Sequence, residues 1–247
     1  KEVIKKPCRP EKVIQFGEGG FLRGFVDWML QKLNESGLWN GSVVVVQPIE
    51  KGMCDVLSQQ DCLYTHVMRG LENKEPVVRK DVVDCISRCV KPYEDFESYR
   101  ALAKNPDFRF IFSNTTEAGI AYVPEDRVTD APPKSYPAKL TVLLYERYLA
   151  FHGDAKRGLL ILPCELIDEN GTKLREIVLR HAQDWSLEAG FVQWLNEANQ
   201  FANTLVDRIV TGFPREQISL YDQKLGYRDG VPYLGAPPAT DTVMTCT

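Results

Sequence analysis

A chain of 247 residues with 44% hydrophobic and 26% charged residues has the composition of an ordinary globular protein and enough length for one large α/β domain with a short appendage. Its formal net charge of −4 excludes a general nucleic-acid or anionic-membrane binder, because attraction to a phosphate backbone needs a basic surface. The charged N-terminus lacks an apolar signal core, and no apolar run reaches the roughly 18 residues of a membrane helix, so a cytoplasmic location is expected. The chain begins at Lys1 rather than methionine, so this expectation covers the present residues only.

In chain order, residues 13–16 read as a short apolar strand that runs into a glycine-dense turn, Gly17-Glu18-Gly19-Gly20. Residues 21–34 follow as an amphipathic helix, with Phe21, Phe25, Trp28, Met29 and Leu33 at helical spacing. Residues 43–46 are four consecutive valines, the mark of a strand buried on both faces. Three shorter, more alternating segments at 64–69, 77–83 and 87–90 predict an antiparallel insertion beside the main sheet. A helix at 95–105, a strand at 108–112, a proline-rich loop at 124–137, a helix at 139–151, a strand at 159–162 and a helix at 173–185 come next. Residues 227–247 have no period and little to bury, and predict an irregular tail. Strands alternating with helices in this way predict an α/β fold, a doubly wound Rossmann-type parallel sheet.

The chemistry gathers at the ends of the strands. Glycines after a first strand let the backbone approach a pyrophosphate, and a following helix offers amides to it. Here Gly17 and Gly19 fit the usual G-x-G-x-x-G pattern, but Leu22 stands at its third glycine, so a plain strand-to-helix turn is the competing reading. After the second strand, Gln47 stands where an acid usually selects NAD, and Glu50 lies just beyond; NAD is therefore expected, with Lys51 leaving NADP open. Thr115, Thr116 and Glu117 follow the strand at 108–112. They are placed to line the nicotinamide side or to start a helix, and these readings are compatible.

After the strand at 159–162, Glu165 and Asp168 are candidate polar contacts to a substrate or water-facing turn acids. Cys164 has no histidine near it in sequence and reads as a packed thiol rather than a nucleophile. Seven cysteines without a CxxC pair and three scattered histidines predict reduced thiols and no bound metal. Asn203, Asp207 and Arg208 interrupt an apolar stretch, so a polar network or a ligand contact is expected there.

These two ends together resemble the mannitol dehydrogenase family of polyol-specific long-chain dehydrogenases. Gly17 through Arg23 is similar to that family's G-x-G-x-F-x-R motif, and Asn203 through Ile209 to its N-[ST]-x-V-D-R-I motif. The resemblance covers about residues 10 to 226. It implies an NAD-binding domain over 1–226, with 227–247 standing where a mostly helical C-terminal catalytic domain of the same enzyme would begin. It also implies hydride transfer on a small uronate or polyol substrate, with Gly17, Gly19, Phe21 and Arg23 at the cofactor and Asp207 at the substrate.

Together with the positions read above, the expected cofactor set is Gly17, Gly19, Phe21, Leu22, Arg23, Gln47, Glu50, Thr115, Thr116 and Glu117, and the substrate set is Glu165, Asn203 and Asp207. Glu165-Leu166 stands in place of the Asp-Asn of mannitol dehydrogenases, which speaks against mannitol. The family's general base is a lysine in a K-x4-N-x2-H motif, and no lysine here has asparagine at its fifth following position. Lys173 and His181 have the outer spacing but carry Val178 between them. No catalytic residue is therefore expected within this chain, and a non-catalytic nucleotide-binding module is the second reading.

Overall fold

In the computed structural model the described residues are 5–72, 75–116, 118–205, 210–212, 223, 229, 233–235 and 245–246. The chain begins with β1 (Glu11–Phe16), turns through the glycines into α1 (Gly20–Gly24) and α2 (Val26–Glu35), and returns as β2 (Ser42–Val46). It continues through α3 (Cys54–Gln59), β3 (Tyr64–Glu72), β4 (Glu75–Val83), β5 (Ile86–Val90) and α4 (Phe96–Ala101), which passes into a 3₁₀ turn at Leu102–Lys104. Next come β6 (Phe110–Ser113), α5 (Tyr136–Ala150), β7 (Leu160–Pro163), α6 (Asn170–Asp184), α7 (Ala189–Ala198) and β8 (Gln200–Phe201). Four short strands close the list: β9 (Thr204–Leu205), β10 (Val210–Gly212), β11 (Tyr233–Gly235) and β12 (Thr245–Cys246).

The main sheet has six strands in the order β5-β2-β1-β6-β7-β8, all parallel. The chain winds outward from β1 in one direction and then restarts on its other side at β6, which is the doubly wound arrangement. Its crevice opens between the carboxyl ends of β1 and β6. Because successive strand residues face opposite sides, the sheet divides two cores. Ile14, Phe16, Val44, Val46, Ile111 and Ile161 pack with α4, α5, α6 and α7. Val13, Val43, Val45, Phe112 and Leu162 pack with residues of α1, α2 and α3.

Several expected elements differ in detail. The helix expected at 21–34 is interrupted at Phe25, whose φ of −121° and ψ of −72° separate α1 from α2. The segment at 87–90 is not part of the antiparallel insertion. As β5 it forms the parallel edge of the main sheet, with Val45 opposite Cys89. An edge strand is half solvated, so its Ser87 and Arg88 give it the alternation of an antiparallel strand. The insertion is the β3–β4 hairpin, extended by β11 parallel to β3 and by β10 antiparallel to β11.

The loop at 124–137 is organised by buried Asp126, which accepts from the Lys134 and Ser135 amides and the Ser135 hydroxyl. Ser135 then caps α5 by accepting from Ala138 N at 3.2 Å, so the helix starts three residues earlier than expected. Within 227–247, the described residues include β11 and β12, the latter antiparallel to β9. Among the described residues no helix is long and apolar enough to cross a membrane.

Candidate cofactor site

The glycine turn sits at the switch point, and its geometry follows from how tightly three strand ends are tied there. Gly17 has φ of +114°, and its amide donates to the Val46 carbonyl at 3.0 Å across the end of β2. A Cβ built on Gly17 would lie 2.8 Å from the Asn114 carbonyl oxygen at the end of β6. Only glycine satisfies both the positive φ and that approach. Gly19 differs: it is exposed, and a Cβ there would meet nothing within 4 Å. The space above Gly19 is therefore open where a doubly wound fold brings a pyrophosphate to the turn, and the residues present fit a dinucleotide.

Arg23 and Leu22 support this turn from beneath. Arg23 is only 2% exposed; its Nε donates to the Glu18 carbonyl at 2.9 Å, and its guanidinium lies 5.3 Å from the Tyr64 ring centroid. The Tyr64 hydroxyl donates to the Arg23 carbonyl at 2.6 Å. Leu22 is buried in the second core, and Phe21 is half-buried with its ring 5.5 Å from that of Phe25.

The structure places Gln47 in the loop after β2 with its carboxamide engaged at both ends. Nε2 donates to the Ile49 and Glu50 carbonyls at 3.1 Å each, and Oε1 accepts from the Cys54 amide at 3.2 Å. Gln47 thus shapes the loop, while Glu50 and Lys51 are exposed on it. Glu18 reaches this loop from the glycine turn, its Oε1 accepting from Met53 N at 3.2 Å.

On the other side of the crevice, Glu165 ties β6 to β7. It is 2% exposed, and its Oε1 accepts from Thr115 N and Thr115 Oγ1 at 2.9 Å each, while Oε2 accepts from Ser113 Oγ at 3.0 Å. Burial pushes its carboxyl pKa upward, against the pull of these donors. Thr116 is exposed with φ of +74°, and Asp168 is exposed. Cys164 is fully buried with Sγ 3.7 Å from the Leu162 carbonyl, a packed thiol as expected. Glu117 and Asp207 lie outside the described residues.

We expect Glu165→Ala to lower stability by about 2–4 kcal/mol, since it strands the buried Ser113 hydroxyl together with the half-buried hydroxyl and amide of Thr115. A urea midpoint unchanged from the parent chain would contradict the tie between the two loops.

Asn203 is half-buried; its Oδ1 accepts from Thr172 N at 2.9 Å and so closes the start of α6. Beside it stands Asn170, a residue that sequence reasoning missed. Fully buried, it donates to the Pro163, Glu165 and Thr204 carbonyls and accepts from the Gly171 and Thr204 amides. Its signal was an asparagine one residue before Gly171, within a turn read only for its acids. Also missed was the Gln15–Asp27 pair beneath the glycine turn. Gln15 Nε2 donates to the Gly17 carbonyl at 3.0 Å and to Asp27 Oδ2 at 3.3 Å. A glutamine inside an otherwise apolar strand was the available sign.

The doubly wound sheet, with its glycine turn at the switch point and polar loops on both sides, defines a dinucleotide-binding domain of the Rossmann class. A family model described as the mannitol dehydrogenase Rossmann domain matches residues 11–233. The chain belongs to the mannitol dehydrogenase family.

Among its relatives, an altronate oxidoreductase of Enterobacter sp. (strain 638) is 54% identical over 222 residues, covering 90% of this chain and 46% of the relative. An altronate oxidoreductase of Escherichia coli O1:K1 / APEC is 53% identical over the same length and coverage. The chain thus spans about half the length of the curated relatives it matches. Two solved structures share the fold. A ternary complex of Pseudomonas fluorescens mannitol 2-dehydrogenase with NAD and D-mannitol has a TM-score of 0.76 at 21% identity, covering 93% of this chain and 48% of that one. A substrate-free D-sorbitol dehydrogenase has a TM-score of 0.75 at 21% identity, covering 92% and 49%.

Proposed function

We propose that this chain is the NAD-binding part of an oxidoreductase that interconverts tagaturonate and altronate. The observation that carries the reading is 54% identity to an altronate oxidoreductase across 90% of the chain. Bound NAD would supply the hydride acceptor, and NADH the donor. The chain's own residues bind and orient. The glycine turn receives the pyrophosphate in the open space over Gly19, the loop from Gln47 to Met53 receives the adenosine ribose, and Thr115, Thr116 and Glu117 border the nicotinamide. Glu165, through its three bonds to Ser113 and Thr115, holds that last border in place. Asn203 and Asp207 stand on the substrate side.

Proton transfer at the substrate hydroxyl falls to a part of the enzyme outside these 247 residues, because the lysine motif of the family is absent from them. Titration of the chain with NADH, followed by fluorescence or calorimetry, is expected to show binding. Tagaturonate reduction followed by NADH absorbance is expected to be negligible, since loss of a positioned base alone costs about 10²–10⁴-fold in rate. Failure to bind NADH or NADPH would overturn the cofactor assignment. Robust reduction by the chain alone would overturn the division of labour. In an active assembly, tagaturonate turned over more slowly than fructuronate or fructose would overturn the substrate.

A further inference from the structure

We propose that Glu18, between the two glycines of the turn, recognises the hydroxyls of the adenosine ribose and sets the preference for NAD over NADP. This rests on the cofactor assignment above. The ribose of a dinucleotide lies beside the loop that follows the second strand, where an acid at the strand end ordinarily accepts from its hydroxyls. In this chain the strand end carries Gln47, and both ends of its carboxamide are engaged by the Ile49 and Glu50 carbonyls and the Cys54 amide.

Glu18 reaches the same loop from the opposite side. Its Oε1 accepts from Met53 N at 3.2 Å, and a Cβ on Gly52 would lie 1.9 Å from that oxygen and 2.7 Å from Gln47 Oε1. Gly52 is thus the bare spot against which both side chains close, and it brings the Glu18 carboxylate to the place that the strand-end acid would otherwise occupy.

Holding a carboxylate here is costly: Glu18 is 6% exposed, and burial raises its pKa against the Met53 bond and the Arg23 charge. Paired ribose hydroxyls supply donors beyond the Met53 amide, and they offset that cost when the cofactor binds. A 2′-phosphate at the same place would bring about two negative charges against the carboxylate in a half-dry site. Glu50 and Lys51 are exposed neighbours of opposite charge, and in water their effects on a passing phosphate largely cancel.

The test compares NADH and NADPH affinities of the full 247-residue chain by fluorescence titration. The parent is expected to favour NADH by about 10-fold or more, and Glu18→Gln to shrink that ratio about 10-fold, while its amide oxygen still accepts from Met53 N. Glu18→Asp keeps the charge but withdraws it, and is expected to weaken NADH without admitting NADPH. An unchanged ratio in Glu18→Gln, or NADPH tolerance in Glu18→Asp, would overturn the proposal while leaving the cofactor assignment standing. A larger change of ratio in Glu50→Gln than in Glu18→Gln would overturn it in favour of Glu50. Binding of neither cofactor by the parent would overturn the assignment itself.

Discussion

Replacing Asp27 by asparagine is expected to stabilise the chain at about pH 8 by several kcal/mol, and to leave it nearly unchanged at about pH 3, below the unfolded pKa. Asp27 is fully buried in the first turn of α2, beneath the glycine turn. Its Oδ2 accepts from Gln15 Nε2, but Asp27 Oδ1 and Gln15 Oε1 are both buried acceptors without a hydrogen-bond partner. A proton on Asp27 Oδ1 supplies the missing donor, turning the pair into a carboxylic acid facing a carboxamide.

Burial accordingly pushes the Asp27 carboxyl up to about 7, against the opposing pull of the Gln15 bond and the Arg23 charge. Other titratable neighbours are Tyr64 on β3 and Cys85, whose thiol donates to the Asp27 carbonyl at 3.3 Å. Because the folded value lies above the unfolded one, the folded chain binds the extra proton, and stability falls as pH rises from about 4 through about 7. The full loss is on the order of 4 kcal/mol for such a shift, less whatever relaxation or water entry offsets. Asparagine mimics the protonated acid in shape and places an N–H donor where the acid has its O–H, at every pH. Urea melts of parent and variant at the two pH values measure the difference. Equal effects at both, or destabilisation at the higher pH, would show that Asp27 is ionised in the fold.

That pair also shows what the sequence could and could not disclose. The runs at 13–16 and 43–46 were legible because a strand covered by helices on both faces must be apolar throughout. The family resemblance was legible because the glycine turn and the Asn203 motif are local strings. What escaped depends on neighbours far away in the chain. Glu165 read as a substrate contact or a water-facing turn acid; what escaped is its burial against Ser113 at the end of β6 and Thr115 just after it, about 50 residues away in the chain. Gln47 read as a cofactor contact from its position alone, and what the position did not disclose is that its carboxamide is engaged within its own loop. Helix α3 was missed since only Cys54 and Leu57 of its six residues are buried, too few to make a visible stripe. Position along the chain locates a loop; which of its atoms are already engaged is a property of the packing.

Gly17→Ala and Gly19→Ala, with only Glu18 between them, should separate the two meanings of the turn. At Gly17 the φ of +114° is strained for any side chain, and the new Cβ would stand 2.8 Å from the Asn114 carbonyl oxygen. That carbonyl has little room to retreat: Asn114 N donates to the Phe16 carbonyl at 3.1 Å, and Asn114 Nδ2 to the Cys164 carbonyl at 2.7 Å. The expected cost is about 3 kcal/mol or more, with loss of NADH binding as a consequence of the displaced turn. At Gly19 the backbone is extended, with φ of −66° and ψ of 168°, and nothing lies within 4 Å of a Cβ. Alanine there should leave the unfolding free energy from urea melts within about 0.5 kcal/mol of the parent. Yet it should weaken NADH about 10-fold or more, because the methyl group occupies the space the pyrophosphate needs. Stability and affinity falling together in both variants would mean that the glycines only build a tight turn. Affinity lost without stability at Gly19 would identify that space as the cofactor's own.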